Sequence, residues 1–353
     1  MVKKAVTILV VFLIAGAWAW TKFHAAAIEA QNPQDKKATL HLFAMSDYFP
    51  PEVLSNFEAK FNCDVRYDNF SSNEELLAKL QAGATGYDVI VPSDYMVRAL
   101  INGKLIKELD KTKLPNFKNL AKDFVEVPYD PGSKYSIPYT WGTTGLIYNT
   151  KYIKKPVDSW DILFDKDLKG HISLLDDERE VLGAMLHKLG YSNNTTNKKE
   201  LEEAQKLLIQ IKPGVRLFAS DPKQHLLSGD IWLAQIYSGD AEQVMKTNPE
   251  LKYVTPKEGG VIWIDTFAIP TSAHNSDLAY AFINNILDPQ VEAMITQTLL
   301  YSSPNQAAES LIANESLRPS YLRKLKSAKL EFLKDLGTDS ESWDQLWTEA
   351  KSH

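Results

Sequence analysis

Residues 39–93 read TLHLFAMSDYFPPEVLSNFEAKFNCDVRYDNFSSNEELLAKLQAGATGYDVIVPS, and the punctuation of this stretch decides the fold. Thr39 to Ala44 alternates as a strand does. Pro50-Pro51 then opens a helix, with Val53, Phe57 and Phe61 at i, i+4 and i+8 on one face. Val65 and Tyr67 mark a second strand. Ser71 and Glu74, and Ser72 and Glu75, each match a capping box, and Leu76, Leu77 and Leu80 follow on one helix face. Asp88 to Val91 is a short buried strand ended by Pro92-Ser93. A β-α-β-α-β run of this kind predicts a mostly parallel sheet with right-handed crossovers.

The theme repeats downstream. Ile137 to Gly142 is a strand-like run expected to break at Gly and Thr, and Leu146 to Tyr148 resumes as a strand. Leu201, Ala204, Leu208 and Ile211 define a helix that stops at Pro213. Val261 to Ile264 is a strand, followed by Phe267 to Pro270. Helices are expected around Leu278 to Ile286 and Val291 to Leu300. From about Ser320 the chain is expected to be helical and highly charged.

At 353 residues the chain has room for about two domains and a sizeable core. The 39 Lys and Arg against 45 Asp and Glu leave a net charge of −6, which disfavours nucleic acid as a partner, since phosphate binding needs a basic face. Lys3 and Lys4 precede an apolar run from Ala5 to Trp20, the pattern of a secretory signal, with Ala25 and Ala27 at the −3 and −1 positions of a cleavage site. A retained N-terminal anchor is the alternative, and either places the fold outside the cytoplasm. Cleavage after Ala27 would remove three lysines and no acid, so the exported part is the more acidic. Residues 28–37 are expected to form a flexible lead. The single cysteine, Cys63, excludes an internal disulfide and reads as a small half-buried hydrophobe.

Candidate chemistry clusters at segment ends, where open α/β sheets bind ligands. Several ends carry a carboxylate beside a ring: Met45-Ser46-Asp47-Tyr48, Ser93-Asp94-Tyr95 and Tyr237-Ser238-Gly239-Asp240. Trp263 and Asp265, two apart on a strand, share one face. Asp176-Asp177-Glu178-Arg179-Glu180 has acids without a ring, and Tyr301-Ser302-Ser303-Pro304-Asn305 follows a helix. Each has a bland reading: Asp177 and Glu180 fit a capping box, Asp47 could cap the helix at Pro50, and a lone Trp263 is usually core. Together, carboxylates without matching cations suit an ammonium group, and rings suit both ammonium groups and methylene chains. The seven His are scattered, so a metal site is not expected, nor is catalysis: no nucleophile elbow, P-loop or zincin motif occurs.

Met45 to Pro51, Val91 to Tyr95, Tyr135 to Gly142, Leu175 to Val181, Lys188 to Thr196, Pro256 to Asp265 and Tyr301 to Asn305 resemble, in order, motifs of the periplasmic spermidine/putrescine-binding proteins of ABC transporters. The resemblance implies an α/β, two-lobed periplasmic binding protein fold of type II-like architecture, with ligand in the interlobe cleft. It implies a first lobe at 38–142 plus 265–304 and a second at 143–264 plus 305–353. It also implies a monomer that works in the periplasm without cofactor and docks on a membrane permease. By the same resemblance, Asp47, Asp177, Glu180 and Asp265 meet the ligand amines. Tyr48, Tyr237, Trp263 and Tyr301 cover its carbon chain, and Ser46, Ser93 and Tyr95 give supporting polar contacts. Met45 stands where the family usually has Trp, and Glu331 to Lys334 lacks a Gln that the family can supply. Asp94→Ala is expected to affect binding much less than Asp265→Ala or Glu180→Ala.

Overall fold

A computed structural model describes residues 37–46, 48–70, 72–325 and 329–352. The expected signal segment, nearly all of the lead and Asp47 lie outside the described residues. The strands are β1 Ala38–Ala44, β2 Cys63–Asn69, β3 Val89–Ile90, β4 Ser136–Asn149, β5 Ile172–Leu174, β6 Val215–Phe218, β7 Leu233–Tyr237, β8 Leu251–Val254, β9 Gly260–Ala268 and β10 Leu330–Phe332. The main helices are α1 Pro51–Phe61, α2 Asn73–Gln81, α3 Asp94–Asn102, α4 Glu178–Leu189, α5 Lys198–Ile211, α6 Ser238–Thr247, α7 Ser276–Ile286, α8 Pro289–Leu299 and α9 Ser340–Ser352.

The strand order is β2-β1-β3-β9-β4-β7-β5-β6, with β8 also on β4 and β10 also on β9. β1 pairs in parallel with both β2 and β3, as the opening run predicts. The alternation of β1 is the reason it lies between two helical layers. Leu40 and Leu42 pack with Phe57 and Phe282 on one face. Phe43 packs with Leu76, Val97 and Trp141 on the other. At roughly 25 cal/mol per Å² of apolar surface, each fully buried Leu or Phe supplies on the order of 2 kcal/mol. Cys63 opens β2 and is buried. The second lobe repeats the layering. Leu174, Val181, Leu182 and Leu208 pack together on one side of its sheet, and Ile147, Ile236 and Val244 on the other.

Two strands belong to both lobes. β4 pairs with β9 from Ser136 to Thr143 and with β7 from Thr144 to Tyr148. The expected break at Gly142 does not occur, and β4 is a single strand of 14 residues. The glycines are there for close approach. A Cβ on Gly142 would stand 2.4 Å from the Trp263 ring, and one on Gly145 2.5 Å from the Val254 carbonyl. β9 is likewise one strand where two segments were expected.

The C-terminal region departs from expectation twice. Residues 305–325, assigned by resemblance to the second lobe, pack on the first: Ala308, Ile312 and Leu317 cover Ala293 of α8, and Tyr321, Leu322 and Leu325 join the first-lobe core. Their apolar side chains follow directly on the outer face of α8, which needs cover. Leu330–Phe332 is a strand, not a helix, and pairs in parallel with the start of β9. The chain then returns to the second lobe, first through hydrogen bonds of Glu331, Phe332 and Lys334 with residues 192–194 and then through Trp343, Leu346 and Trp347 of α9.

Beneath the 301–305 loop, Glu292 of α8 is buried with the Ser303 hydroxyl donating to its Oε1 at 2.8 Å. Burial pushes its carboxyl up to about 8. A folded-state pKa above the unfolded one means the folded form holds the proton longer, so this group costs stability as pH rises from about 4.5 towards 8. Glu292→Gln keeps the acceptor and cannot ionise. It is expected to leave the melting temperature at pH 4 nearly unchanged and to raise it at pH 8. Equal shifts at both pH values, measured by scanning calorimetry, would contradict this.

Candidate ligand-binding cleft

The ends of β1, β3, β5, β7 and β9 meet between the lobes, and most of the candidate residues lie there. Asp265 is only 4% exposed, near the middle of β9. Its carboxylate accepts hydrogen bonds from the Ser93 hydroxyl at 2.6 Å and from the Tyr48 hydroxyl. Ser93 is held in turn by Asn73, the first residue of α2, whose amide donates to Ser93 Oγ and accepts from Ser93 N–H, both at 3.0 Å. Tyr48 is held by the Tyr67 hydroxyl, which accepts its N–H at 3.2 Å, and by the Tyr139 hydroxyl on its carbonyl. Asn73 carries no motif, and only the folded chain reveals its part.

The second acidic group comes from the other lobe. β5 ends before Asp177, whose carboxylate caps α4 by accepting the N–H groups of Arg179 at 2.9 Å and Glu180 at 3.1 Å. The D-x-x-E capping box is therefore half real. The Glu180 side chain does not close it, and instead accepts from the Thr144 hydroxyl of β4 at 3.0 Å. Thr144 is the first β4 residue that pairs within the second lobe. Cap and pocket use the same segment, since one carboxylate fixes the helix start and the other, on the first turn, faces the hinge strand.

Rings line the space between these acids. Trp263 has Tyr237 at 5.9 Å and Tyr301 at 5.6 Å between centroids, both edge-on, and Tyr48 lies 6.1 Å from Tyr301. Val261, Trp263 and Leu333 form one buried cluster with Tyr95, Tyr237 and Tyr301 packed on it. Leu333 follows β10, so the strand that replaced an expected helix delivers an apolar wall to the cleft. The Tyr95 hydroxyl donates to Glu74 at 3.0 Å. Asp240, quoted in a motif but assigned no role, is buried, ion-paired with Lys223 at 2.8 Å and hydrogen-bonded to Tyr301.

Some candidates stand apart. Ser46 is exposed. Met45 is half-buried and packs on the two first-lobe cores. Asp94 is fully buried at the head of α3, where it accepts the N–H of Tyr95 at 2.7 Å.

The electrostatics of the cleft are lopsided. Burial raises the carboxyls of Asp265, Asp177 and Glu180 above their ordinary range, and Asp177 pushes Glu180 further up. The neighbouring cation, Arg179, is turned elsewhere: its guanidinium donates to the carbonyls of Lys334 and Asn193 and to Asn194 Oδ1, and lies 4.7 Å over the Trp343 ring. Buried carboxylates without a cation are costly, and a ligand that brings positive charge removes that cost. Among the described residues, no three His, Cys, Asp or Glu side chains are grouped to hold a metal ion.

The lobes are closed over this site. Gly239 of α6 lies against the Tyr301 ring, and a Cβ there would come within 2.1 Å of it. Gln243 donates to the Leu299 carbonyl at 2.8 Å.

Comparison with known proteins agrees with this architecture. Residues 52–316 match the model of the bacterial extracellular solute-binding proteins. The chain is 36% identical to the spermidine/putrescine-binding periplasmic protein of Escherichia coli, over 90% of this chain and 93% of that one. It is 35% identical to a putrescine/cadaverine-binding protein of Pseudomonas aeruginosa, over 99% of each. Its fold superposes on the TpPotD lipoprotein of Treponema pallidum with a TM-score of 0.82 at 31% identity, covering 89% of this chain and all of that one. The first two of these relatives are named for what they bind. The chain belongs to the bacterial extracellular solute-binding proteins, in the branch that holds the spermidine/putrescine-binding periplasmic proteins.

Proposed function

We propose that this protein captures a protonated polyamine, spermidine or putrescine, in its interlobe cleft and delivers it in the periplasm to the permease of an ABC transporter. The observation that carries the reading is the pairing of Asp265 on one lobe with Asp177 and Glu180 on the other, with rings between them and Arg179 turned away. Ammonium groups would neutralise the acids, and Tyr48, Tyr237, Trp263 and Tyr301 would cover the methylenes at about 0.5–2 kcal/mol per cation–ring contact. Ligand favours the closed form by as much as it binds that form better than the open one. The permease then meets a closed protein.

Isothermal titration of refolded, ligand-stripped protein with putrescine, cadaverine, spermidine and spermine tests this. Tight one-to-one binding of one of them is expected. Flat traces for all four, from folded protein, would overturn it.

Binding should also release protons. The cleft carboxyls have raised pKa values without ligand, and an ammonium partner lowers them again. Affinity should therefore rise as pH rises above the ordinary carboxylate range. Titrations in buffers of different ionisation enthalpy read the proton count. Net proton uptake would contradict the charge assignment.

A further inference from the structure

The ribbon of β4 and β9 that joins the lobes has two faces. Trp263 looks into the cleft cluster with Tyr237 and Tyr301. Trp141, Ile262 and Ile264 belong to the core on the opposite face. On that opposite face, level with Thr143 where β4 passes between lobes, is a cavity of about 130 Å³. Its walls come from both lobes: Ser238, Glu242, Tyr253 and Thr255 on one side, Ser302 and Tyr321 on the other.

The chemistry of the walls is specific. Glu242 is the one carboxylate in the lining, and no Lys, Arg or His accompanies it. Its oxygens accept from neutral donors of the first lobe, the Ser316 hydroxyl at 2.8 Å and the Asn314 amide at 3.1 Å. Rings of Trp141, Tyr253 and Tyr321 and hydroxyl oxygens complete the walls. A carboxylate, rings and hydroxyl acceptors form the same chemistry as the cleft on a smaller scale. At about 30 Å³ per water, the space holds about four waters or an ammonium of two or three carbons. It is too short for a polyamine with its ends both bound.

We propose that this cavity is a second amine site, selective for a short monoammonium ion, and that its occupancy favours the closed protein. Glu242 supplies the counter-charge, and the rings cover the alkyl part. The walls come from both lobes, so the site is complete only when Glu242 and the 314–316 loop are together. An ion bound there therefore prefers the closed form, and by linkage it raises the affinity of the cleft for its own ligand by the same factor that cleft ligand raises its own.

The probe is ethylammonium, titrated into the full chain and followed by ligand-observed NMR. The variants are Glu242→Gln, which keeps an acceptor for Ser316 but removes the charge, and Asp265→Asn, which disables the cleft. Saturable binding is expected in the wild type and in Asp265→Asn, and at least tenfold weaker binding in Glu242→Gln of unchanged melting temperature. Ethylammonium is also expected to tighten putrescine binding in the wild type and not in Glu242→Gln. Equal ethylammonium binding in wild type and Glu242→Gln overturns the proposal. So does its loss in Asp265→Asn, which would put the ion in the cleft. The Asp265→Asn arm makes the result independent of which ligand the cleft takes: if no polyamine binds, the cleft assignment fails while this site remains readable.

Discussion

Asp265→Ala is expected to weaken polyamine binding by about 2–5 kcal/mol, roughly 30- to 5,000-fold. The size follows from its surroundings. Asp265 is 4% exposed, and its two oxygens are the focus of the Ser93 and Tyr48 hydroxyls. Removing it strands those donors and leaves a ligand ammonium in a closed cleft without its counter-charge. Glu180→Ala should lose a similar amount at the other end, where its carboxylate accepts from the Thr144 hydroxyl at 3.0 Å. The isosteric Asp265→Asn separates binding from folding. The ligand-free protein holds this carboxyl with a raised pKa, so its ionisation costs stability as pH rises. Asp265→Asn is therefore expected to raise the melting temperature without ligand at pH 8 while cancelling the rise that polyamine gives. Wild-type affinity in Asp265→Ala, by calorimetry, would remove this residue from the site.

Gly239→Ala is expected to disable closure without harming the fold. Gly239 lies in the first turn of α6, where alanine is the better helix former. In the closed form, however, its Cβ would stand 2.1 Å from a ring carbon of Tyr301 on the other lobe. A forced overpacking of this kind costs about 1–3 kcal/mol, and the open form avoids it by parting the lobes. Polyamine affinity should fall by roughly 5- to 150-fold. The ligand-free melting temperature should hold or rise slightly. Small-angle scattering of the variant with saturating ligand should show a larger radius of gyration than the wild type with ligand. Unchanged affinity and radius would mean that Tyr301 moves aside at no cost.

The opening run of the chain determined much by itself. Period-two alternation at Thr39 to Ala44, proline at the head of α1, the Ser72 cap and the short run before Pro92 each act over a few residues. They therefore specify β1, α1, α2 and β3 wherever the rest of the chain goes. The hydroxyl of Ser72 does accept the N–H of Glu75, at 3.1 Å. The acid-and-ring composition of the segment ends was equally legible, because strand ends collect function in this class of sheet.

Only the tertiary structure decided what depends on two distant segments touching. Gly142 looks like a strand breaker in sequence, yet it lies within β4 because the Trp263 ring, more than a hundred residues away, occupies the place of its side chain. Leu330–Phe332 is a strand because β9 offers it a free edge. Arg179 sits between two acids in sequence, where a cation could neutralise both. Its guanidinium instead finds carbonyls near residues 193 and 334, and that choice leaves the cleft acids without a hydrogen-bonded cation. Local propensity writes the elements; whether an acid is paired, a glycine is crowded or an edge is free is set by long-range packing, which sequence spacing does not encode.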